Sequence, residues 1–502
     1  MPVPLINLAN PRLTQRHINS FLLGDFLRGA GVRGTREQMT IEEFFRLPDA
    51  AGAPVARFSL WVAQHEVRLT QAAGAIRSPK CDLEPGSALV ESATALAKVR
   101  DSFIEQLDAY ESREREMKEL FLKGECKAGA LDVIRRLASD LKAERLIDYL
   151  ASAHWLPSYA FPQDVLKLRT LQPGIGERFR LERDAEYAIS EYAPGSEIVV
   201  DGIVLTSRAV DLRSKEMRVR WYRACTNCNQ VQDADDRNEL GVACHYCGSK
   251  KHLPQMFIEP KGFLTLHKDT APAVKFSRLR PPASSRVFLI EGAVANAFQH
   301  HPEFSRTTGT TTGYCKLGRL FRANSGRERK HFALCRFCGR TLDKTGDHET
   351  PWGSRCKGSR VIVDLVCQFT TETLQIRFDT APDVTNRPLW TSYTSAFVAA
   401  AADELSIPRS DLDATYRSQT EGSLKGELVI YDRVPGGAGY VFQIRDRLGS
   451  VMLRTLDRVA NCSNQNCDLQ SSCYTCLRTY RNQFEWEDLN RQIVADWLST
   501  IF

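Results

Sequence analysis

The sequence predicts an α+β multidomain fold, with a helical N-terminal half and a mixed α/β C-terminal half. Three observations carry this reading. Apolar residues recur at three and four positions between residues 87 and 153. Beyond about residue 195, β-branched residues bunch or alternate between Gly, Pro and Asp. Eleven of the fifteen cysteines fall into three tight groups between residues 225 and 476.

The first segment, 1–86, reads as helical. "PRLTQRHINSFLLGDFLRGAG" sets Ile18, Phe21, Leu22 and Phe26 on one stripe, with Gly29 as a stop. "TIEEFFRL" and "RFSLWVAQHEVRLTQAAG" read as two more short helices. The second segment, 87–172, is a charged helical bundle in which Leu96, Val99, Phe103, Leu107 and Tyr110 recur at helical spacing. A third, 173–285, is β-rich: "EIVVDGIVLTSRAVDL" and "EMRVRWYRAC" have strand character. The fourth, 286–502, is α/β. There "SRVIVDLVCQFTTETLQIRFD" reads as two strands, "TSAFVAAAADELSI" as a helix, "GELVIYD" as a strand and "YVFQIRDRLGSVMLRTLDRVA" as a helix.

Net charge is +6 from 67 basic and 61 acidic residues, which permits an anionic partner without requiring one. The first residues lack a signal-peptide pattern, and no apolar run reaches the roughly 18 residues a membrane span needs. The expected location is cytoplasmic, where thiols stay reduced and paired cysteines favour metal over disulfide.

Cys225 and Cys228 form one Cys-x2-Cys knuckle, and Cys244 and Cys247 a second. The intervening fifteen residues give zinc-ribbon spacing, and four thiolates close a structural site. A looser set holds Cys335, Cys338, His348 and Cys356, with His331 competing for the fourth place. The third set, Cys462, Cys467, Cys473 and Cys476, favours a four-cysteine zinc loop. An iron–sulfur cluster would use the same ligands, and a redox pair would not carry two extra cysteines. The expected cofactor is therefore Zn2+ at two or three structural sites. Cys81, Cys126, Cys315 and Cys367 remain outside these sets.

Between the strand "GELVIYD" and the next helix stands a turn with Asp432, Gly436, Gly437 and Gly439. Glycines there allow either tight strand-to-helix packing or N–H groups turned toward a phosphate. Basic residues bunch in three stretches and are candidates for nucleic-acid contact: Arg278 and Arg280; Lys316, Arg319, Arg322, Arg327, Arg329 and Lys330; and Arg478 and Arg481. Phe276, Phe321, Tyr480 and Phe484 are interleaved with them as candidates for base stacking. No Gly-x4-Gly-Lys-Ser/Thr loop, DEAH-type box, Gly-x-Ser-x-Gly elbow or His-Glu-x-x-His helix occurs, and no catalytic residue is assigned.

"VIYDRVPGGAGYVFQI" and "CSNQNCDLQSSCYTCLRTYRNQ" together resemble the MrfA-like zinc-binding domain, also called DUF1998. Such domains close large DEAD/DEAH-type helicases of DNA repair and antiphage defence and occur in DISARM systems. "PLINLANPRLTQRHINSFLLGDFL", "WLPSYAFPQDVLKL", "AISEYAPGSEIVVDG" and "FIEPKGF" extend the likeness upstream, where it is greatest to the long helicases of Druantia-type systems. The resemblance implies zinc at Cys462, Cys467, Cys473 and Cys476. It also implies a structural or DNA-facing role for the Asp432–Gly439 turn. The helicase motor is missing from the resemblance. The expected function is thus a non-motor, zinc-binding, DNA-interacting subunit or C-terminal part of such a helicase. Its expected partners are the motor, DNA and other defence proteins. The alternative is a protein-binding scaffold without DNA contact.

Overall fold

The computed structural model describes residues 11–29, 39–46, 53–79, 81–124, 128–153, 155–157, 165–172, 175, 179, 181–214, 216–269, 285–293, 297–302, 309–433, 437–464 and 466–501. Arg278, Arg280 and Gly436 lie outside these residues, as do Cys126 and Phe276.

The N-terminal half is helical, with its longest helix at Pro85–Leu122. Pro85 occupies the first turn, where its missing N–H costs nothing, and the Glu84 carboxylate accepts from the Gly86 and Ser87 amides. At 1.5 Å per residue this helix is about 57 Å long. Leu89, Leu96, Phe103, Leu107 and Tyr110 form its buried stripe, and Val99 packs at the margin. Helix Pro11–Gly29 buries Ile18, Leu22 and Phe26 against it, and Phe26 meets Phe58 edge-on at 5.4 Å. A polar pin crosses this core: Asn19 donates to the Trp155 carbonyl at 2.8 Å, and the Trp155 indole donates to the Ser92 carbonyl at 3.0 Å.

The C-terminal half is built on a ten-stranded sheet whose strands come from both sides of residue 285. Its spine is the antiparallel pair Thr311–Asn324 and Arg360–Arg377, which runs from Thr311 opposite Arg377 to Asn324 opposite Leu365 with a register shift between Cys315 and Gly318. The segment expected as two strands is one strand of 18 residues. It stays continuous because different partners take its two ends: Phe332–Cys335 at the start and Gly426–Asp432 at the finish. Strand Gly426–Asp432 is buried along its whole length under helix Arg387–Leu405, whose Trp390, Tyr393 and Phe397 fill the core beneath. The expected single helix after it is two, Tyr440–Asp446 and Leu448–Ala460, with the backbone leaving helical geometry at Arg447. Among the described residues no helix is long and apolar enough to cross a membrane.

A second sheet, ordered Leu181–Asp184, Val165–Arg169, Phe263–Leu264 and Ala209–Val210, lies where the two halves meet. There the Tyr110 hydroxyl reaches the buried Asp211 carboxylate at 3.2 Å. Burial alone would raise the Asp211 carboxyl, but Arg213, Arg169 and Arg113 outweigh it and hold it below the ordinary carboxylate range.

Candidate metal centres

Three sets of side chains converge, and they are the three read from spacing: Cys225, Cys228, Cys244 and Cys247; Cys335, Cys338, His348 and Cys356; Cys462, Cys467, Cys473 and Cys476. Within each set all four ligand atoms lie within 4.8 Å of one another. A tetrahedral zinc with Zn–S bonds of about 2.3 Å places neighbouring sulfurs about 3.8 Å apart. The contacts match. Cys225–Cys247 is 3.6 Å, Cys228–Cys244 3.7 Å, Cys335–Cys356 3.7 Å, Cys462–Cys473 3.6 Å and Cys467–Cys476 3.8 Å. A four-iron iron–sulfur cluster binds each thiolate to a different iron and a two-iron cluster binds two to each of its irons, so either needs some of its four thiolates farther apart than this. These are single-ion sites with every position filled by protein, so the metal is structural and no position is left open for substrate.

The donor chemistry agrees. Four thiols this close cannot all ionise without a cation between them. A hydrogen bond from Cys228 brings the Cys225 thiol down to about 4, and the same contact drives Cys228 up. In the last set burial opposes the Cys473 thiolate, yet the backbone N–H groups of Cys476 and Thr475 bring it down to about 6. Burial pushes Cys476 up to about 12. A bound dication removes this conflict by stabilising every thiolate at once.

Each knuckle is shaped by its backbone. In the ribbon the Asn229 amide donates to the Cys225 carbonyl at 2.8 Å and the Gly248 amide to the Cys244 carbonyl at 2.9 Å. The middle set uses the same turn, Gly339 to Cys335 at 3.0 Å. There Gly358 passes so close that a Cβ would stand 2.4 Å from the Cys335 sulfur, so no other residue fits without pushing the ligands apart.

The competition between His348 and His331 is resolved by their partners. His348 Nε2 lies 3.4 Å from the Cys338 sulfur, and its Nδ1 is held by the Gly346 carbonyl at 2.9 Å, the usual second contact of a metal-bound imidazole. His331 Nδ1 instead lies 2.7 Å from the fully buried Asp364. His348→Ala is therefore expected to lose the middle zinc, whereas His331→Ala keeps it; elemental analysis of the purified variants reads this directly.

The middle site also joins the two halves. Cys335, Cys338, Leu342 and Trp352 belong to the core of the helical bundle, Arg113 stacks on Trp352 at 5.4 Å, and the Val210 amide donates to the Gly339 carbonyl at 3.0 Å.

Two buried arginines brace the other sites, and sequence reading missed both. Arg223, 1% exposed, donates to the carbonyls of Leu240, Gly241 and His252 at 2.7–2.9 Å and so holds the ribbon loop to its strand. Arg491, 2% exposed, donates to the Val459 and Ala460 carbonyls at 2.9 and 3.0 Å, closing the end of helix Leu448–Ala460, and to the Cys467 carbonyl at 3.1 Å. Arg491→Ala strands three buried acceptors and should destabilise the C-terminal unit by about 3 kcal/mol. Lysine, without the planar fork, should not restore it. Denaturant unfolding of the two variants checks both statements.

The glycine turn serves its own carboxylate. Asp432 accepts from the amides of Ala438, Tyr440 and Val441 at 2.7–3.1 Å. Gly437 has a positive φ of 85°, and a Cβ there would press into the Glu372 side chain. Burial pushes the Asp432 carboxyl up to about 7, against the pull of the three amides. These three N–H groups are used by Asp432 and so hold the strand against the helix that follows it.

The basic stretches divide. Arg322, 13% exposed, lies between Glu186 at 3.5 Å and Asp413 at 3.4 Å, and Phe321 is fully buried against Tyr222 and Phe257. Phe321 does not meet solvent, and the Arg322 guanidinium is held by its two carboxylates. Arg319 pairs with Glu291 at 2.9 Å and Asp233 at 3.7 Å, and Lys316 is half-buried in the same strand. Arg327, Arg329 and Lys330 stand exposed on the following loop. Arg478 lies 5.1 Å over the Trp486 ring, while Arg481, Tyr480 and Phe484 are exposed.

Comparison with known proteins agrees with the C-terminal geometry. Residues 393–477 match the model of the MrfA Zn-binding domain. The chain is similar to the Druantia protein DruE of Escherichia coli (strain UMEA 4076-1), 23% identical over 574 aligned residues that cover 99% of this chain and 30% of that protein. It therefore spans less than a third of that relative's length. Among solved structures it is similar to the DUF1998 helicase MrfA bound to DNA, with 10% identity, a TM-score of 0.34 and coverage of 68% of this chain and 34% of that one. A second crystal structure of the DUF1998 helicase MrfA gives a TM-score of 0.31 at 10% identity, covering 63% of this chain and 32% of that one. The chain thus contains an MrfA-like zinc-binding region at residues 393–477 and is similar to DruE along nearly its whole length.

Proposed function

We propose that this chain is the non-motor, zinc-bearing part of a DEAD/DEAH-type DNA helicase, acting in antiphage defence or DNA repair. It works either as a separate subunit or as the C-terminal part of a longer protein. The observation that carries the reading is the similarity to DruE along 99% of the chain, joined to the zinc-binding domain match at its end. The closed coordination of the three metal sets fits this role, since closed zincs hold loops and do not activate water. On this reading the helical half docks the motor, the zinc-stapled half guides DNA, and the assembly is cytoplasmic.

A protein-binding scaffold is the second reading. It is favoured by the adjacent apolar residues Phe121 and Leu122, left exposed at the end of the long helix. Capture of the tagged chain from its host at moderate salt separates the two. A co-eluting helicase whose DNA-stimulated ATP hydrolysis depends on this chain is expected. Co-elution of defence proteins with neither ATP hydrolysis nor DNA would overturn the first reading in favour of the second.

A further inference from the structure

Tyr187 stands in helix Ala185–Glu191, nearly three hundred residues before the C-terminal zinc loop, yet the two meet. Its hydroxyl accepts from two guanidiniums at once, Arg433 Nη1 at 2.8 Å and Arg481 Nη2. Both cations also lie over its ring, at 5.0 and 5.4 Å. Arg433 is nine-tenths buried at the start of the glycine turn, and its Nε–H has no partner among the described residues. Arg481 follows the last zinc ligand by five residues and is exposed.

The charge around them is unbalanced. Three guanidiniums, Arg322, Arg433 and Arg481, face two carboxylates, Glu186 and Asp413. Glu186 and Asp413 both engage Arg322, and Glu186 also holds Arg433. Arg481 has no carboxylate within ion-pair distance among the described residues. Burial and the neighbouring Arg433 both depress its pKa, as expected for a cation lacking its counter-charge. In the same short run Tyr480 is 67% exposed and Phe484 48% exposed. Large exposed aromatics beside an uncompensated arginine offer a π-face for a base next to a donor fork for a phosphate.

We infer that Arg433, Tyr187 and Arg481 form a clamp for one phosphodiester of single-stranded nucleic acid, with the neighbouring base stacked on Tyr480. Tyr187 is the positioning residue: its hydroxyl and ring align both forks. A single strand fits better than a duplex because only an unpaired base can leave its own stack for Tyr480. Tyr480 also borders a cleft lined by Glu182, Glu191, Glu197 and Arg183, which pairs with Glu191, so its net negative charge disfavours a second phosphate. The footprint is therefore one phosphate and one base. This rests on the DNA-guiding role proposed above and locates it on particular residues.

The test is fluorescence anisotropy of a labelled single-stranded oligonucleotide with the zinc-loaded chain over a range of salt concentrations. One lost phosphate contact on a single strand lowers the salt slope by about 0.7. Arg481→Glu is expected to show that change with at least a tenfold loss of affinity. Arg481→Lys should keep the slope but bind more weakly, and Tyr480→Ala should bind more weakly at an unchanged slope. Zinc content checks that each variant is folded. If the wild type binds and Arg481→Glu binds equally with the same slope, the clamp is wrong while the wider reading stands. If the wild type binds no oligonucleotide, the DNA clause of that reading fails and the clamp falls with it. Inorganic phosphate is added at matched ionic strength to distinguish a general anion site: displacement of the wild-type complex at millimolar phosphate would overturn the assignment to nucleic acid.

Discussion

Cys473→Ser is expected to release one zinc per chain and to unfold the C-terminal unit. The Cys473 sulfur lies 3.6 Å from Cys462 and 3.7 Å from Cys476, so it sits among the other ligands of its set. A serine hydroxyl stays protonated at neutral pH and does not replace the thiolate. The loop from Cys462 to Cys476 has little apolar anchorage of its own. Cys476 and Leu477 are its buried end, and beyond them Val494, Trp497 and Leu498 return to the core beneath the sheet. Trp497 packs edge-on against Tyr393 at 5.0 Å, so disorder in the loop reaches the central helix. Loss of a structural metal belongs among the large single-site effects, on the order of 4–5 kcal/mol or more. Cys315→Ser, outside the three sets, should keep all of its zinc. Metal content with denaturant unfolding measures both effects, and full metal in Cys473→Ser would remove that residue from the ligands.

Arg322→Glu is expected to damage the fold rather than a binding surface. Burial opposes the Arg322 charge, and Glu186 and Asp413 more than restore it, so its pKa is raised. A glutamate there would bring a third carboxylate into a buried site and leave Glu186 to repel it. Breaking a buried pair from one side typically costs about 3–5 kcal/mol. Arg327→Glu with Arg329→Glu, on an exposed loop, should leave stability nearly unchanged. Thermal or denaturant midpoints distinguish the two. An Arg322→Glu protein as stable as the wild type would contradict the buried network.

How much of this was legible in the sequence follows from where each interaction closes. A knuckle closes over three or four residues, so the spacing of Cys225 to Cys228 and of Cys335 to Cys338 carries its own geometry. The choice between His348 and His331 does not close locally, because Asp364, thirty-three residues away, takes His331. Helix Pro85–Leu122 was readable because one face is wet and 3.6-residue periodicity survives. Phe321 misled because its strand buries consecutive residues, Leu320 and Phe321, in separate cores on its two faces, and alternation then separates nothing. The glycine turn carried an unused signal: an aspartate six residues before Ala438 can supply the acceptor that the exposed amides seek. Arg223 and Arg491 look like any other arginine until distant carbonyls surround them.

The account stands most directly on its metals. Native mass spectrometry of the purified chain, paired with elemental analysis, should find three zinc ions per chain and no iron. Fewer than three, or iron in any of the sites, would contradict it.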